Sequence, residues 1–178
     1  METKNFKVDT AKSSIDWTGK KVTGAHNGSI DIQAGTLSVS DEKLSGGNFT
    51  IDVTSIKILD VMDPDTNAQF AGHLFSEDFF STERFPQAEF VVTSSTYVED
   101  DSYQIIGNLT IKNITHPVSF LAQVLIGNDI ITASGKIIID RTNYEMKFRS
   151  GNFFTNLGDT LIYNEFELDV KLTASTTF

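Results

Sequence analysis

The stretch Leu161-Ile162-Tyr163-Asn164-Glu165-Phe166-Glu167-Leu168-Asp169-Val170-Lys171-Leu172 decides the fold. Phe166, Leu168, Val170 and Leu172 alternate strictly with Glu165, Glu167, Asp169 and Lys171. Successive side chains of a β-strand point to opposite faces, so this period of two describes a strand with one buried and one wet face. Its register is firmly set, because a slip of one residue would carry every charge into the core.

The same alternation recurs upstream. Ile15 and Trp17 alternate with Asp16 and Thr18, and Phe49, Ile51 and Val53 with Thr50 and Asp52. Ala88, Phe90 and Val92 follow, then Tyr103, Ile105, Gly107, Leu109 and Ile111, then Val118, Phe120, Ala122 and Val124, then Ile131, Ala133, Gly135, Ile137 and Ile139. Turn chemistry separates the runs at Asn27-Gly28, Ser40-Asp41-Glu42, Ser45-Gly46-Gly47, Asp100-Asp101-Ser102 and Gly127-Asn128-Asp129, residues that tolerate positive φ or hydrogen-bond their own backbone. The pattern predicts about eight antiparallel strands, as an up-and-down barrel or a two-sheet sandwich. Closure removes exposed strand edges and favours the barrel.

One stretch breaks the rhythm. Asp63-Pro64-Asp65 has the residues of a helix start, and Phe70 and Leu74 stand four apart, so a short helix is expected within a cap over about 63–80. Ser76-Glu77-Asp78-Phe79-Phe80 continues it as a turn or second short helix. This excursion is too apolar for an open loop and should cover one barrel mouth.

The 178 residues suit one domain, 1–178, with one sizeable core. There are 14 Phe and a single Trp, Trp17, so the apolar content carries few hydrogen-bonding handles. A net charge of -10 without clustered Lys or Arg argues against nucleic acid or an anionic bilayer surface as partner. Absence of cysteine removes thiolate nucleophiles, thiolate metal sites and disulfides together. No run approaches the ~20 apolar residues of a membrane span, and no signal-peptide core follows the polar Met1-Glu2-Thr3-Lys4-Asn5. As written the chain reads as cytoplasmic, or as periplasmic if an export signal was trimmed.

Chemistry-bearing patterns are sparse. His26, His73 and His116 have no metal-ligand spacing, so no metal site is expected. No Gly-x-Ser-x-Gly elbow is present. The Asn-x-Ser/Thr triplets at Asn27, Asn48, Asn108 and Asn113 read as chance, and the acidic Glu99-Asp100-Asp101 as a solvated turn. Asp140-Arg141 ends an apolar strand, where it would orient a loop or meet a ligand headgroup. What remains is aromatic: Phe70, Phe75, Phe79 and Phe80 in the cap, and Phe148, Phe153 and Phe154 in a second non-strand segment. A packed core explains them, and so does a ligand cavity with guarded access, because an eight-stranded barrel is wide enough either to fill or to hold one ligand.

Motifs along nearly the whole chain carry a resemblance. Ser14-Ile15-Asp16-Trp17-Thr18-Gly19, His26-Asn27-Gly28 and Gly46-Gly47-Asn48-Phe49-Thr50-Ile51-Asp52 come first. Gly72-His73-Leu74, Ser76-Glu77-Asp78-Phe79-Phe80 and Phe85-Pro86-Gln87-Ala88-Glu89-Phe90 follow, then Gly107-Asn108-Leu109-Thr110-Ile111-Lys112 and Asp140-Arg141 with Ser150-Gly151-Asn152-Phe153-Phe154. In these the chain resembles the YceI-like family of bacterial polyisoprenoid-binding proteins. The resemblance implies an extended lipocalin-like barrel enclosing an isoprenoid chain or quinone tail, with no catalytic residues and no cofactor beyond that lipid. Asn113 stands where the family's turn usually has Gly, and Phe75 where its cap often has Lys, which shifts the expectation toward a neutral or weakly polar ligand.

The expectation is therefore an all-β, eight-stranded antiparallel lipocalin-like barrel with a short helical cap, binding an apolar lipid without catalysis. Strands of roughly ten to twelve residues rising ~3.3 Å each and tilted by ~40° make a barrel roughly 25 to 30 Å tall. The expected lining is Trp17, Phe49, Ile51, Val53, Phe90, Leu109, Ile111, Phe120, Val124, Ile137, Phe166 and Leu168. Phe70, Leu74, Phe79 and Phe154 form the expected lid, and His73 and Arg141 are the candidates for headgroup contact. Two rivals stand beside this reading: an enzyme acting on an apolar substrate through His73 or Arg141, and a filled barrel that binds a protein partner. A homodimer is a fair expectation at this size.

Overall fold

The computed structural model describes residues 3–151, 157 and 161–176. Among the described residues, nine strands and one α-helix follow one another as β1 (Thr3–Val8), β2 (Ser14–Lys21), β3 (Gly24–Ser40), β4 (Lys43–Ile58), α1 (Pro64–Phe75), β5 (Gln87–Glu99), β6 (Ser102–Ile111), β7 (Ile114–Ile126), β8 (Ile130–Asp140) and β9 (Ile162–Ser175). All pair antiparallel in the order β1-β3-β2-β9-β8-β7-β6-β5-β4, and β3 also pairs with β4, which closes the barrel.

Nine strands fill eight positions because β1 and β2 share one. Both lie between β3 and β9: β2 pairs with the start of β3 and most of β9, while β1 pairs with Thr36 to Ser40 of β3 and with Ala174 and Ser175 of β9. A 3₁₀ turn at Thr10–Lys12, capped by Asp9, separates the two halves.

Three hairpins turn on consecutive residues at positive φ: Asp41 and Glu42 (52° and 64°), Asp100 and Asp101 (48° and 64°), and Lys112 and Asn113 (53° and 63°). Two such residues in a row make the type I′ turn, whose twist matches that of the flanking strands. The departure from glycine at Asn113 is thus accommodated in the left-handed region that Asn tolerates.

Two expected turns are not turns. Asn27-Gly28 lies inside β3 and Ser45-Gly46-Gly47 inside β4, and the β2–β3 connection falls at Val22-Thr23 instead. Gly28 serves close approach: a Cβ there would lie 1.8 Å from the Lys57 carbonyl oxygen and 2.6 Å from the Trp17 ring, which crosses directly opposite. Gly107 likewise admits the Phe90 ring, 2.3 Å from where its Cβ would stand. A strand glycine under an aromatic ring is a packing device.

The helix begins where the sequence places it. Asp63 caps α1 by accepting from the Thr66 amide (2.9 Å) and hydroxyl (2.6 Å), with Pro64 at the first helical position. Asn67 Nδ2 ties the helix to the end of β4 by donating to the carbonyls of Ile58 and Val61. No residue of α1 is buried; the deepest cap residue is Phe79 in the turn that follows. Among the described residues no helix is long and apolar enough to cross a membrane.

The interior holds two buried clusters. One includes Phe6, Val8, Leu37, Leu44, Ile105, Val124 and Ile131 near the short hairpins, and the other gathers Val53, Ile56, Phe79, Leu109, Ile111, Tyr144 and Met146 beneath the cap.

Candidate functional site

The inward phases of the strands enclose an elongated cavity of about 120 Å³. Among the described residues its wall is apolar apart from Ser134 and Gly135 of β8. A row of rings crosses it: Phe49 of β4 lies 6.3 Å from Phe90 of β5, and Phe90 lies 5.9 Å from Phe120 of β7, centroid to centroid. Phe49 reaches this row because Gly35, opposite it on β3, leaves room for its ring.

Of the expected lining, Phe49, Ile51, Phe90, Leu109, Phe120, Val124, Ile137 and Leu168 border the cavity. Trp17, Val53, Ile111 and Phe166 point inward as well but pack in the cap-end cluster. Leu74 and Phe79 of the expected lid join that cluster, while Phe70 meets the imidazole of His26 edge-on at 4.8 Å. Phe154 lies outside the described residues.

His73 and Arg141 are placed away from the cavity wall. His73 Nε2 meets Asp78 Oδ2 at 3.0 Å on the exposed side of the cap, and its ring is edge-on to Phe79 and Phe148. Arg141 is buried, and its guanidinium donates to three backbone carbonyls: Tyr163 (3.0 Å), Met146 (2.5 Å) and Ile162 (3.0 Å). Burial pushes its pKa down to about 10, against the pull of Asp140. The group thus stitches the β8 exit to the start of β9, the loop-orienting role open to it in the sequence.

The rest of the cap is tied down at its margins. Lys112 Nζ donates to the carbonyls of Glu77 and Glu145, joining the β6–β7 turn to the cap and to the segment after β8; burial lowers its pKa while Glu145 pulls the other way. His26 Nδ1 meets Asp60 Oδ2 at 2.9 Å. Partial burial pushes the Asp60 carboxyl up, but the Asn27 amide and His26 outweigh it and hold the pKa below the ordinary value. Among the described residues no group of three or more His, Asp or Glu side chains is placed to hold a metal ion.

Sequence reasoning missed Ile32, Leu37 and Leu44 in the wall, and Tyr144 and Met146 beneath the cap. β-Bulges between Ser29 and Asp31 and between Ile32 and Ala34 interrupt the two-residue period that would have exposed the first two. Tyr144 and Met146 lie outside any strand and had no periodicity to read.

A closed antiparallel barrel with an apolar interior and one helical cap places the chain in the lipocalin-like class of barrels. The family model describing a YceI-like domain matches residues 6–174, and the chain belongs to that family. Protein YceI of Escherichia coli is 36% identical over 112 residues, 62% of this chain and 53% of the E. coli protein, so the match spans about half of that relative. Among solved structures, Burkholderia cenocepacia BcnA superposes with a TM-score of 0.73 at 22% identity, covering 94% of this chain and 99% of BcnA. A polyisoprenoid-binding domain from Saccharophagus degradans, implicated in plant cell wall breakdown, superposes at 0.70 and 13% identity, covering 97% and 98%. At these identities the two structures speak for the fold.

Proposed function

We propose that the chain binds a long apolar lipid of isoprenoid type inside the barrel, without catalysis. The observation that carries this reading is the apolar cavity running among strands β2 to β9, crossed by Phe rings and bordered, among the described residues, by no charged side chain. The Saccharophagus degradans domain of the same fold is described as polyisoprenoid-binding, which supports the ligand class. Burial supplies the affinity: at ~0.8 kcal/mol per methylene, about ten buried groups give about 8 kcal/mol before association and ordering costs.

Size sets a condition on this reading. Ligand pockets commonly enclose roughly 300–1,000 Å³, and about 120 Å³ is nearer to one small ring. Uptake of an extended chain therefore requires Phe49, Phe90 and Phe120 to rotate off the barrel axis. The same volume favours a second reading, a filled barrel that works through its acidic surface on a protein partner.

Native mass spectrometry of the purified protein, followed by organic extraction, tests the two. A stoichiometric isoprenoid or isoprenoid quinone is expected. An empty protein that also ignores added prenyl lipids would overturn lipid binding and leave the filled barrel.

A further inference from the structure

Beneath the cap, the apolar cluster contains one fully buried polar group that the fold leaves unanswered, and a half-buried imidazole stands against it. Tyr144 is 1% exposed, and among the described residues its hydroxyl has no hydrogen-bond partner. Its ring meets that of His116 edge-on, with centroids 5.4 Å apart. His116 lies on β7 in the inward phase of Val118 and Phe120, directly opposite Leu109, and among the described residues no hydrogen bond engages its imidazole. Val118, Phe120 and Leu109 all border the cavity, and Leu109 also packs in the cluster that holds Tyr144. The pair therefore stands one layer of side chains from the cap-side end of the cavity.

Buried polar groups in folded proteins are almost always hydrogen-bonded, and leaving one unpaired is costly, so each exception asks for a partner. The character of that partner follows from the surroundings. Burial pushes the Tyr144 pKa up to about 12, so the hydroxyl is a neutral donor. The nearby cations are occupied, Arg141 by three carbonyls and Lys112 by two. A diphosphate would need several charge-assisted donors, whereas a ring ketone, ether or alcohol oxygen needs one.

We infer that Tyr144 and His116 form the polar end of the interior site and receive a neutral acceptor oxygen at the end of the apolar ligand. This rests on the lipid-binding reading above and adds a ligand class to it: a chain with one uncharged oxygen-bearing end, held in one orientation with that end toward the cap.

The test compares a farnesyl-tailed benzoquinone with the matching farnesyl hydrocarbon, titrated into the full chain and into Tyr144→Phe by native mass spectrometry. The expected result is that Tyr144→Phe weakens the quinone about tenfold, as loss of one buried hydrogen bond would, and leaves the hydrocarbon within about twofold. Equal affinities of both proteins for both probes would overturn the polar end while lipid binding stands. Failure of the wild-type chain to take either probe would overturn both. If a thermal melt shows that Tyr144→Phe is unfolded, His116→Leu carries the same comparison, with a selective loss of quinone binding expected and an unselective result counting against the pair.

Discussion

At one end of the barrel the strands double back at Asp41-Glu42, Asp100-Asp101 and Gly127-Asn128-Asp129, and the interior there is filled by aliphatic and aromatic side chains with a small cavity among them. At the other end the chain leaves the barrel wall for the whole stretch from β4 to β5, and again after β8, and the interior receives Arg141, Tyr144 and His116 along with its aliphatic and Phe side chains. The first end depends on packing, which degrades gradually as volume is lost or added. The second depends on a few directional bonds under an apolar roof, and such bonds fail abruptly when one partner is removed.

The largest expected effect breaks the cap end alone. Arg141→Met leaves three carbonyls without donors and should cost about 3–5 kcal/mol in urea unfolding. Loss below about 1 kcal/mol would mean that those carbonyls find other partners. Next comes a matched pair of glycines. Gly28→Ala, at the cap end, forces a Cβ onto the Lys57 carbonyl and the Trp17 ring and should cost about 2–3 kcal/mol. Gly46→Ala, toward the short turns, meets nothing within 4 Å and should stay within about 0.5 kcal/mol. Equal costs would erase the contrast.

Val124→Trp probes the cavity end. Val124 is 2% exposed and borders the cavity, so the added ring should cost about 1–3 kcal/mol and block lipid uptake in a chain that still melts cooperatively. Unchanged uptake by the folded variant would move the ligand elsewhere. The smallest effect appears only in base. The Tyr144 pKa is raised from 10.0 to about 12, so its contribution is complete below pH 10 and is lost as pH rises from 10 to about 12, the range in which the unfolded chain alone has released the proton. Tyr144→Phe should flatten that part of the stability curve relative to wild type, and coincident curves would show that the hydroxyl titrates as it does in the unfolded chain.

Much of the barrel was legible because β6 to β9 keep an unbroken two-residue period, and there the inward phase read from the sequence is the inward phase observed. The long β3 and β4 were misread at Asn27-Gly28 and Ser45-Gly46-Gly47 because glycine marks two different needs, a left-handed turn and a close approach, and composition does not distinguish them. β1 was not foreseen: six residues give too few alternations, and its placement beside β3 and β9 is a fact of closure and not of local pattern. The cap helix was legible through Asp63 and Pro64. Tyr144 was not, since its burial depends on the long-range path of the chain after β8.

The shared strand position has a mechanical consequence. In a cask of whole staves, none can leave without opening two seams along its full length. Here one stave is jointed at Thr10–Lys12, and its shorter piece is held by five register pairs to β3 and two to β9. That piece can peel away while β2 keeps the other half of the hoop tight, at less cost than global unfolding. Amide exchange in Lys4 to Lys7 should therefore outpace exchange in Asp16 to Gly19 of β2, and the seams beside β1 are where the wall would first admit water.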